Sequence, residues 1–390
     1  YRLPGERRTV ATLGGPWRQN RLSPNALTLD YAQFSKDGGR TWSVSEPVLA
    51  FSDRAAQSQP YNGPLLVRYP FRAEALPRNC SLVLEQPEMY ASIRVNGREL
   101  RFGQGEETPG KNTGTTSKKT PGDVSDGELA GFYLDRAFRT AEITPLLKKG
   151  DNEIVLALDF RSAVPSSYDA DERYGTEIES VYLTGDFAVR GKEVAPPLAD
   201  SWRNRSPYLQ RTAPVNRLTG FVLTDEPAQV EGDMTLQGYP FFAGSMTLEK
   251  EFDLERTDSA ARYFLTFPAC EATVIGINVN GTDLSPLFAS PWEADVTPWL
   301  RPGSNKICLT LTNTLRNLLG PHHHKGGEFT EVRPVTFRAG EDVSNTMTGE
   351  PVGERDWYDA RLKGRAALWR DAYHIIPSGL LAAPEIRRER

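Results

Sequence analysis

Ile143-Thr-Pro-Leu-Leu-Lys-Lys-Gly-Asp-Asn-Glu-Ile-Val-Leu156 reads without a gap against Val296-Thr-Pro-Trp-Leu-Arg-Pro-Gly-Ser-Asn-Lys-Ile-Cys-Leu309. In both, Thr-Pro breaks the chain before a short turn, and Gly-x-Asn leads into an alternating Ile-x-Leu strand. Upstream lies a second matched pair, Ile93-Arg-Val-Asn-Gly97 and Ile277-Asn-Val-Asn-Gly281. Val-Asn-Gly after an alternating run signals a hairpin, because Asn and Gly accept the positive φ that a type I′ turn requires. The first pair is offset by 153 positions and the second by 184, so the first copy carries about 31 extra residues between its motifs. Matched motifs at such an offset mark a duplicated structural unit.

The extra residues sit in Gly103 to Gly131, GQGEETPGKNTGTTSKKTPGDVSDGELAG, a stretch almost free of apolar side chains and rich in Gly, Thr, Lys and Pro. That is the composition of a solvated excursion from a sheet, with a functional lid as the alternative. Around the motifs run short β-prone segments such as Ser81-Leu-Val-Leu84 and Tyr263-Phe-Leu-Thr-Phe267. Strands at roughly 8–12-residue spacing, without amphipathic helices between them, indicate antiparallel β-sandwiches. The expected fold is therefore all-β, with two tandem sandwiches. Residues 61–200 form the first, with its insertion at 103–131, and residues 225–340 form the second. Residues 1–60 are expected to be a β-rich segment packing on the sandwiches, 201–224 a linker, and 341–390 a C-terminal segment. Helix is expected only near Tyr358–Arg370, where the apolar residues have partial helical periodicity. Trp42, Trp202, Trp357 and Trp369 are expected to pack in cores or between domains.

The 390 residues suit two or three domains. A net charge of −5, with basic residues interspersed among acids, argues against a nucleic-acid surface. No apolar run approaches the roughly 20 residues that cross a bilayer, so no membrane partner is expected. Cys80, Cys270 and Cys308 are far apart and lack CxxC spacing, which excludes a disulfide scaffold or a zinc cluster of cysteines. An extracellular or periplasmic location is expected ahead of a cytoplasmic one, although three cysteines do not settle it. Beginning at Tyr1, the chain is expected to be a fragment of a longer protein.

Three of the four histidines, His322, His323 and His324, stand in Asn313-Thr-Leu-Arg-Asn-Leu-Leu-Gly-Pro-His-His-His-Lys-Gly-Gly-Glu328. Successive residues of a strand or helix point in different directions, so three adjacent imidazoles converge poorly on one ion. No HExxH or cysteine partner accompanies them. Asn313, Arg316, Asn317 and Glu328 add planar hydrogen-bonding groups, the chemistry that reads hydroxyl-rich ligands. Tyr239, Phe241, Phe242 and Trp292 could supply an aromatic face for a sugar ring. Two readings stand for this set: saccharide contact, or packing at an interdomain interface. Glycoside hydrolysis needs two carboxyl groups across the scissile bond. The local acid pairs, Asp169-Ala-Asp171-Glu172 and Glu328-Phe-Thr-Glu331, lie in loop-like sequence. No Gly-x-Ser-x-Gly elbow, P-loop or Cys/His pairing is present. No catalytic residue is therefore named.

The motif order resembles that of the galactose-binding-like jelly rolls attached to large glycoside hydrolases, as in the sugar-binding domain of family 2 enzymes. The residues that carry it are Gly238-Tyr-Pro-Phe-Phe-Ala-Gly-Ser-Met-Thr-Leu248, Val279-Asn-Gly281 and Asp295-Val-Thr297. The whole arrangement resembles more closely the C-terminal part of bacterial enzymes related to family 106 α-L-rhamnosidases. There it rests on Pro24-Asn-Ala-Leu-Thr-Leu-Asp30, Leu183-Thr-Gly-Asp-Phe-Ala-Val189, Asn317-Leu-Leu-Gly-Pro-His-His323 and Ile376-Pro-Ser-Gly379. The resemblance implies a non-catalytic, carbohydrate-associated region of an enzyme acting on plant or microbial polysaccharide. The partners it implies are a catalytic (β/α)8 barrel of the same parent protein and an oligo- or polysaccharide. It implies no organic cofactor and allows structural calcium. An autonomous lectin-like module and a purely structural scaffold are the alternatives. No run of alternating strand and helix is found here, so the barrel itself is absent from this sequence.

Overall fold

The computed structural model describes residues 6–57, 59–102, 131–164, 175–194, 216–255, 258, 260–320, 322–323 and 371–389. The expected helix near Tyr358–Arg370 and the insertion at 103–130 lie outside the described residues. The fold is all-β, as the turn spacing requires, and the sheets are overwhelmingly antiparallel. The chain separates into two compact units that interleave along the sequence. One comprises Leu29–Pro70 and Asn79–Thr184; the other comprises Tyr1–Thr28, Phe71–Arg78 and Gly185–Arg390.

The first unit holds the first motif copy. Its strand Gly150–Arg161 lies between Asn62–Ala73 and Ser92–Val95, and Arg98–Leu100 follows as the edge. Tyr31–Ser35 pairs with Asn62–Ala73 through Phe34 opposite Val67. Phe132–Tyr133, Asp135–Glu142, Cys80–Glu85 and Val181–Gly185 follow one another in another sheet. Along Gly150–Arg161, Asn152, Ile154, Leu156, Leu158 and Phe160 are buried while the residues between them are not. That period of two is what a strand with one face on a core must show. A helix, Val48–Gln57, interrupts this unit where only strands were expected. Its buried Val48, Phe51 and Ala55 fall on one face by their spacing, and Phe51 stacks on Phe34 at 4.1 Å.

The second unit contains a two-layer sandwich built on the second copy. One layer runs Gln229–Val230, Trp17–Arg21, Ser245–Leu254, Gly303–Thr312, Val274–Val279, Thr282–Leu287. The other runs Arg7–Thr12, Glu385–Glu389, Arg262–Thr266, Glu293–Asp295. Between them lie Trp17, Leu248, Ile277, Ile307, Leu309 and Leu311 from the first layer, with Tyr263, Leu265 and Ile386 from the second. Each such fully buried aliphatic side chain stabilises the fold by on the order of 2 kcal/mol. Strands from both ends of the chain, outside residues 225–340, thus complete this sandwich. Asn216–Thr224 pairs antiparallel with Ala188–Glu193 and with Tyr373–Ile375, and its end runs parallel to Arg72 and Ala73.

Candidate functional site

Five of the motif segments singled out in the sequence meet at one place in the second unit. Asn25, wholly buried, donates from Nδ2 to the carbonyls of Phe187 and Gly238, both at 2.8 Å. This ties the Pro24–Thr28 part of one motif to the Gly185–Val189 part of another and to the Gly238–Leu248 segment. Thr28 donates its hydroxyl to the Leu318 carbonyl at 2.8 Å. Asn317 clasps the backbone of Ile376, donating to its carbonyl at 2.8 Å and accepting from its amide at 3.0 Å. Asn313 clasps the turn before Ser245–Leu254 in the same manner. Its Oδ1 accepts from the Gly244 amide at 2.9 Å and its Nδ2 donates to the Phe242 carbonyl at 2.7 Å. Gly244 has φ +144, and a Cβ there would collide with Ser23, so only glycine lets the two segments approach this closely.

The histidines belong to the same joint. Asn317 begins no strand; it sits in the one-turn helix Arg316–Leu319, and His322 follows it closely enough to turn back. His322 Nε2 lies 2.9 Å from the Asn317 carbonyl. A carbonyl oxygen only accepts, so that ring nitrogen carries a proton. The His322 carbonyl accepts from the His374 amide at 2.7 Å. Around these bonds packs an aromatic cluster: Phe241 edge-on to His322 at 5.7 Å, Tyr373 at 4.5 Å from His323, and Phe221 at 4.9 Å from Tyr373. His322 and His323 are 4% and 3% exposed, as deeply buried as core aliphatics.

Tyr239 is also buried, edge-on to Phe242, and its hydroxyl lies 3.3 Å from Glu226 Oε1. Burial, and then the Glu226 charge, push its phenol well above the usual range. Arg316 opens the short helix and is half-buried. Trp292 lies in another part of the unit, packed against the sandwich core, its carbonyl accepting from the Phe267 amide at 3.0 Å. His324 and Glu328 lie outside the described residues. The structure therefore brings Tyr239, Asn313, Asn317, His322 and His323 onto one set of interlocked segments, and places Trp292 apart from them.

Sequence reasoning named no role for several residues that hold this joint. Asp233 accepts from the Thr235 amide and hydroxyl at 2.9 and 2.7 Å and from the Ser378 amide at 3.2 Å. Asn216 donates to the other Asp233 oxygen at 2.5 Å. Arg21 donates to both oxygens of Glu226 and to Asp186 at 3.0 Å. Desolvation opposes its charge, yet Glu226 and Asp186 outweigh that and raise its pKa. Asp233-x-Thr235 is a local capping pattern that could have been read from the sequence. Arg21 meeting Glu226 across 205 positions could not. The two carboxylates meet across a guanidinium, which is ion pairing. Among the described residues, no group of three or more His, Cys, Asp or Glu is placed to hold a metal ion. Among them, too, no helix is long and apolar enough to cross a membrane.

No protein-family model matches the chain. No curated protein matches it either. Among solved structures it is similar to a β-D-mannosidase from Dictyoglomus thermophilum, at 14% identity and a TM-score of 0.26, over 74% of this chain and 31% of that one. It is similar to a rhamnosidase from Novosphingobium sp. PP1Y at 12% identity and a TM-score of 0.25, over 99% of this chain and 25% of that one. A β-glucuronidase from Ruminococcus gnavus matches at 10% identity and a TM-score of 0.27, over 76% and 40%. The chain thus spans a quarter to two fifths of those proteins. Likeness of this degree carries no argument about activity.

Proposed function

We propose that this chain is a non-catalytic, carbohydrate-associated β-sandwich region that supports the catalytic domain of a glycoside hydrolase. The observation that carries the structural half of this reading is how the polar groups are used. Asn25, Asn313, Asn317 and His322 direct their hydrogen bonds at the backbone of their own unit. Side-chain amides and an imidazole bonded in this way to backbone groups rigidify a joint. Asn25, Asn317 and His322 are buried, withdrawn from the solvent face where a sugar would be read. The motif order that resembles galactose-binding-like domains of glycoside hydrolases supports the carbohydrate association.

Calorimetry of the purified chain against oligosaccharides, rhamnose-containing ones included, alongside an aryl-glycoside assay, tests the reading. The expected result is no turnover and no binding that Asn317→Ala alters, while Asn317→Ala lowers the melting temperature. Turnover abolished by changing a single carboxylate would overturn it. Saccharide heat that disappears with Asn317→Ala in a protein still folded would move the joint to a binding role.

A further inference from the structure

The last stretch of the chain crosses the second unit and is held at one station after another. Tyr373–Ile375 pairs with Asn216, Arg217 and Leu218. Asn317 takes both backbone groups of Ile376, and the Ser378 carbonyl accepts from the Met234 amide at 2.8 Å. Gly379 and Glu271 exchange backbone bonds of 3.0 and 2.9 Å, and the Leu13 amide donates to Pro384 at 2.8 Å. Glu385–Glu389 then fills the slot between Arg7–Thr12 and Arg262–Thr266, bonded on both edges. Among the described residues, Arg7–Thr12 reaches its layer through this strand alone.

The slot has a readable chemistry. Ile386 is fully buried, beside Leu265 and Ala11 in the register. Glu385 accepts from the Thr9 hydroxyl at 3.0 Å, and Glu389 lies 3.7 Å from the Arg7 guanidinium. Backbone bonds on two edges give a strand affinity, and alternate side chains give it specificity. The sequence that fits, Glu385-Ile-Arg-Arg-Glu389, is the chain's own.

We propose that this slot is a strand-binding site that takes the C-terminal strand of its own chain or, by exchange, the same strand of a second copy. Exchange reproduces every bond just described, which is why swapped dimers cost little. About 50 residues separate His323 from Tyr373, a contour on the order of 150 Å, so chain length does not forbid it. The closed form wins in dilute solution because a strand on its own chain meets its slot intramolecularly.

The test uses the full chain. Native-state hydrogen exchange should show the amides of Ile386, Arg387 and Arg388 opening together at lower denaturant than those of Ser245–Leu254 and Gly303–Thr312. Under those conditions a labelled synthetic peptide of residues 373–390, supplied in millimolar excess so that it competes with the tethered strand, should be captured one to one. The same peptide with Ile386→Asp should bind about a hundredfold more weakly, since the buried site cannot accept a carboxylate. Exchange of these amides only through global unfolding would overturn the proposal. So would failure to capture the unmodified peptide, or equal capture of both.

Discussion

The two units close the same turn with the same five bonds, over very different lengths of chain. In the first, Asn96 Nδ2 donates to Asn152 Oδ1 and to the Leu146 carbonyl, both at 2.8 Å, and Asn96 Oδ1 accepts from the Glu153 amide at 3.1 Å. Asn152 in turn bonds the Lys148 amide and carbonyl at 3.0 and 2.8 Å. In the second, Asn280 Nδ2 donates to Asn305 Oδ1 and to Trp299, both at 2.8 Å, and Asn280 Oδ1 accepts from Lys306 at 2.9 Å. Asn305 bonds the Arg301 amide and carbonyl at 3.1 and 2.8 Å. Asn96 and Asn280 have φ of 50° and 51°. The paired asparagines stand 56 positions apart in the first unit and 25 in the second. Latch geometry is therefore set by local backbone groups that must be paired, and it is indifferent to the length of chain hung between its halves.

The largest test of that equivalence removes the latch. Asn152→Ala and Asn305→Ala should each cost about 3 kcal/mol, since each removes three of the five bonds, the one from the other asparagine and the two to the Lys148 or Arg301 backbone, at about 1 kcal/mol apiece. Chemical denaturation of both variants measures this, and costs differing by a factor of three or more would break the equivalence. A second pair sharpens it. Thr144 Oγ1 accepts from the Cys80 amide and Thr297 Oγ1 from the Tyr263 amide, both at 2.8 Å. Only Thr297 also reaches a carboxylate, Asp295 Oδ1, at 2.6 Å. Thr144→Val should cost about 1 kcal/mol and Thr297→Val about 2, because a bond to an ionised acceptor is the stronger. Equal costs would show that the carboxylate contributes nothing.

What could be read in the sequence follows the same division between local and distant. Val-Asn-Gly and Gly-x-Asn announce their turns because positive φ and a short amide side chain act within a few residues. The alternation of Ile154, Leu156 and Leu158 announces a strand for the same reason. Arg7–Thr12 and Glu385–Glu389 carry no such signature; they become parts of one sheet through partners hundreds of positions away. Val48–Gln57 was missed because its single apolar stripe is short and is completed by Phe34. The site was half legible. Asn317 and His322 stood out by residue type, but their burial depends on Ile376 and Tyr373, whose return to that place no local pattern encodes.

Replacing residues 103–130 by a turn as short as that of the second copy should change stability little. Removing those 28 residues outright takes the separation of the two asparagines from 56 to 28 positions, which halves the loop, and the closure entropy recovered is about 0.6 kcal/mol. A small rise in melting temperature, with the Asn152→Ala cost unchanged, is the expected result. A fall would mean that the inserted residues pack on the first unit and belong to its latch.

The smallest difference between the copies is one of pH. Asp295 stands where the first copy has Glu142, and burial raises its pKa, but the Thr297 hydroxyl and amide and the Arg262 guanidinium more than reverse this. Its folded-state pKa therefore lies below the ordinary carboxylate value. A group shifted in that direction contributes stability that is fully present above its unfolded pKa, near 4, and is lost as pH falls through the folded one. Glu142 is exposed. Acidification from pH 6 to pH 3 should accordingly weaken the second unit through this position. Comparing Asp295→Asn with the parent chain isolates the effect: the variant should be less stable at pH 6, and the gap should close by pH 3. A gap of constant size across that range would show that Asp295 holds the turn by its shape and that its charge is irrelevant.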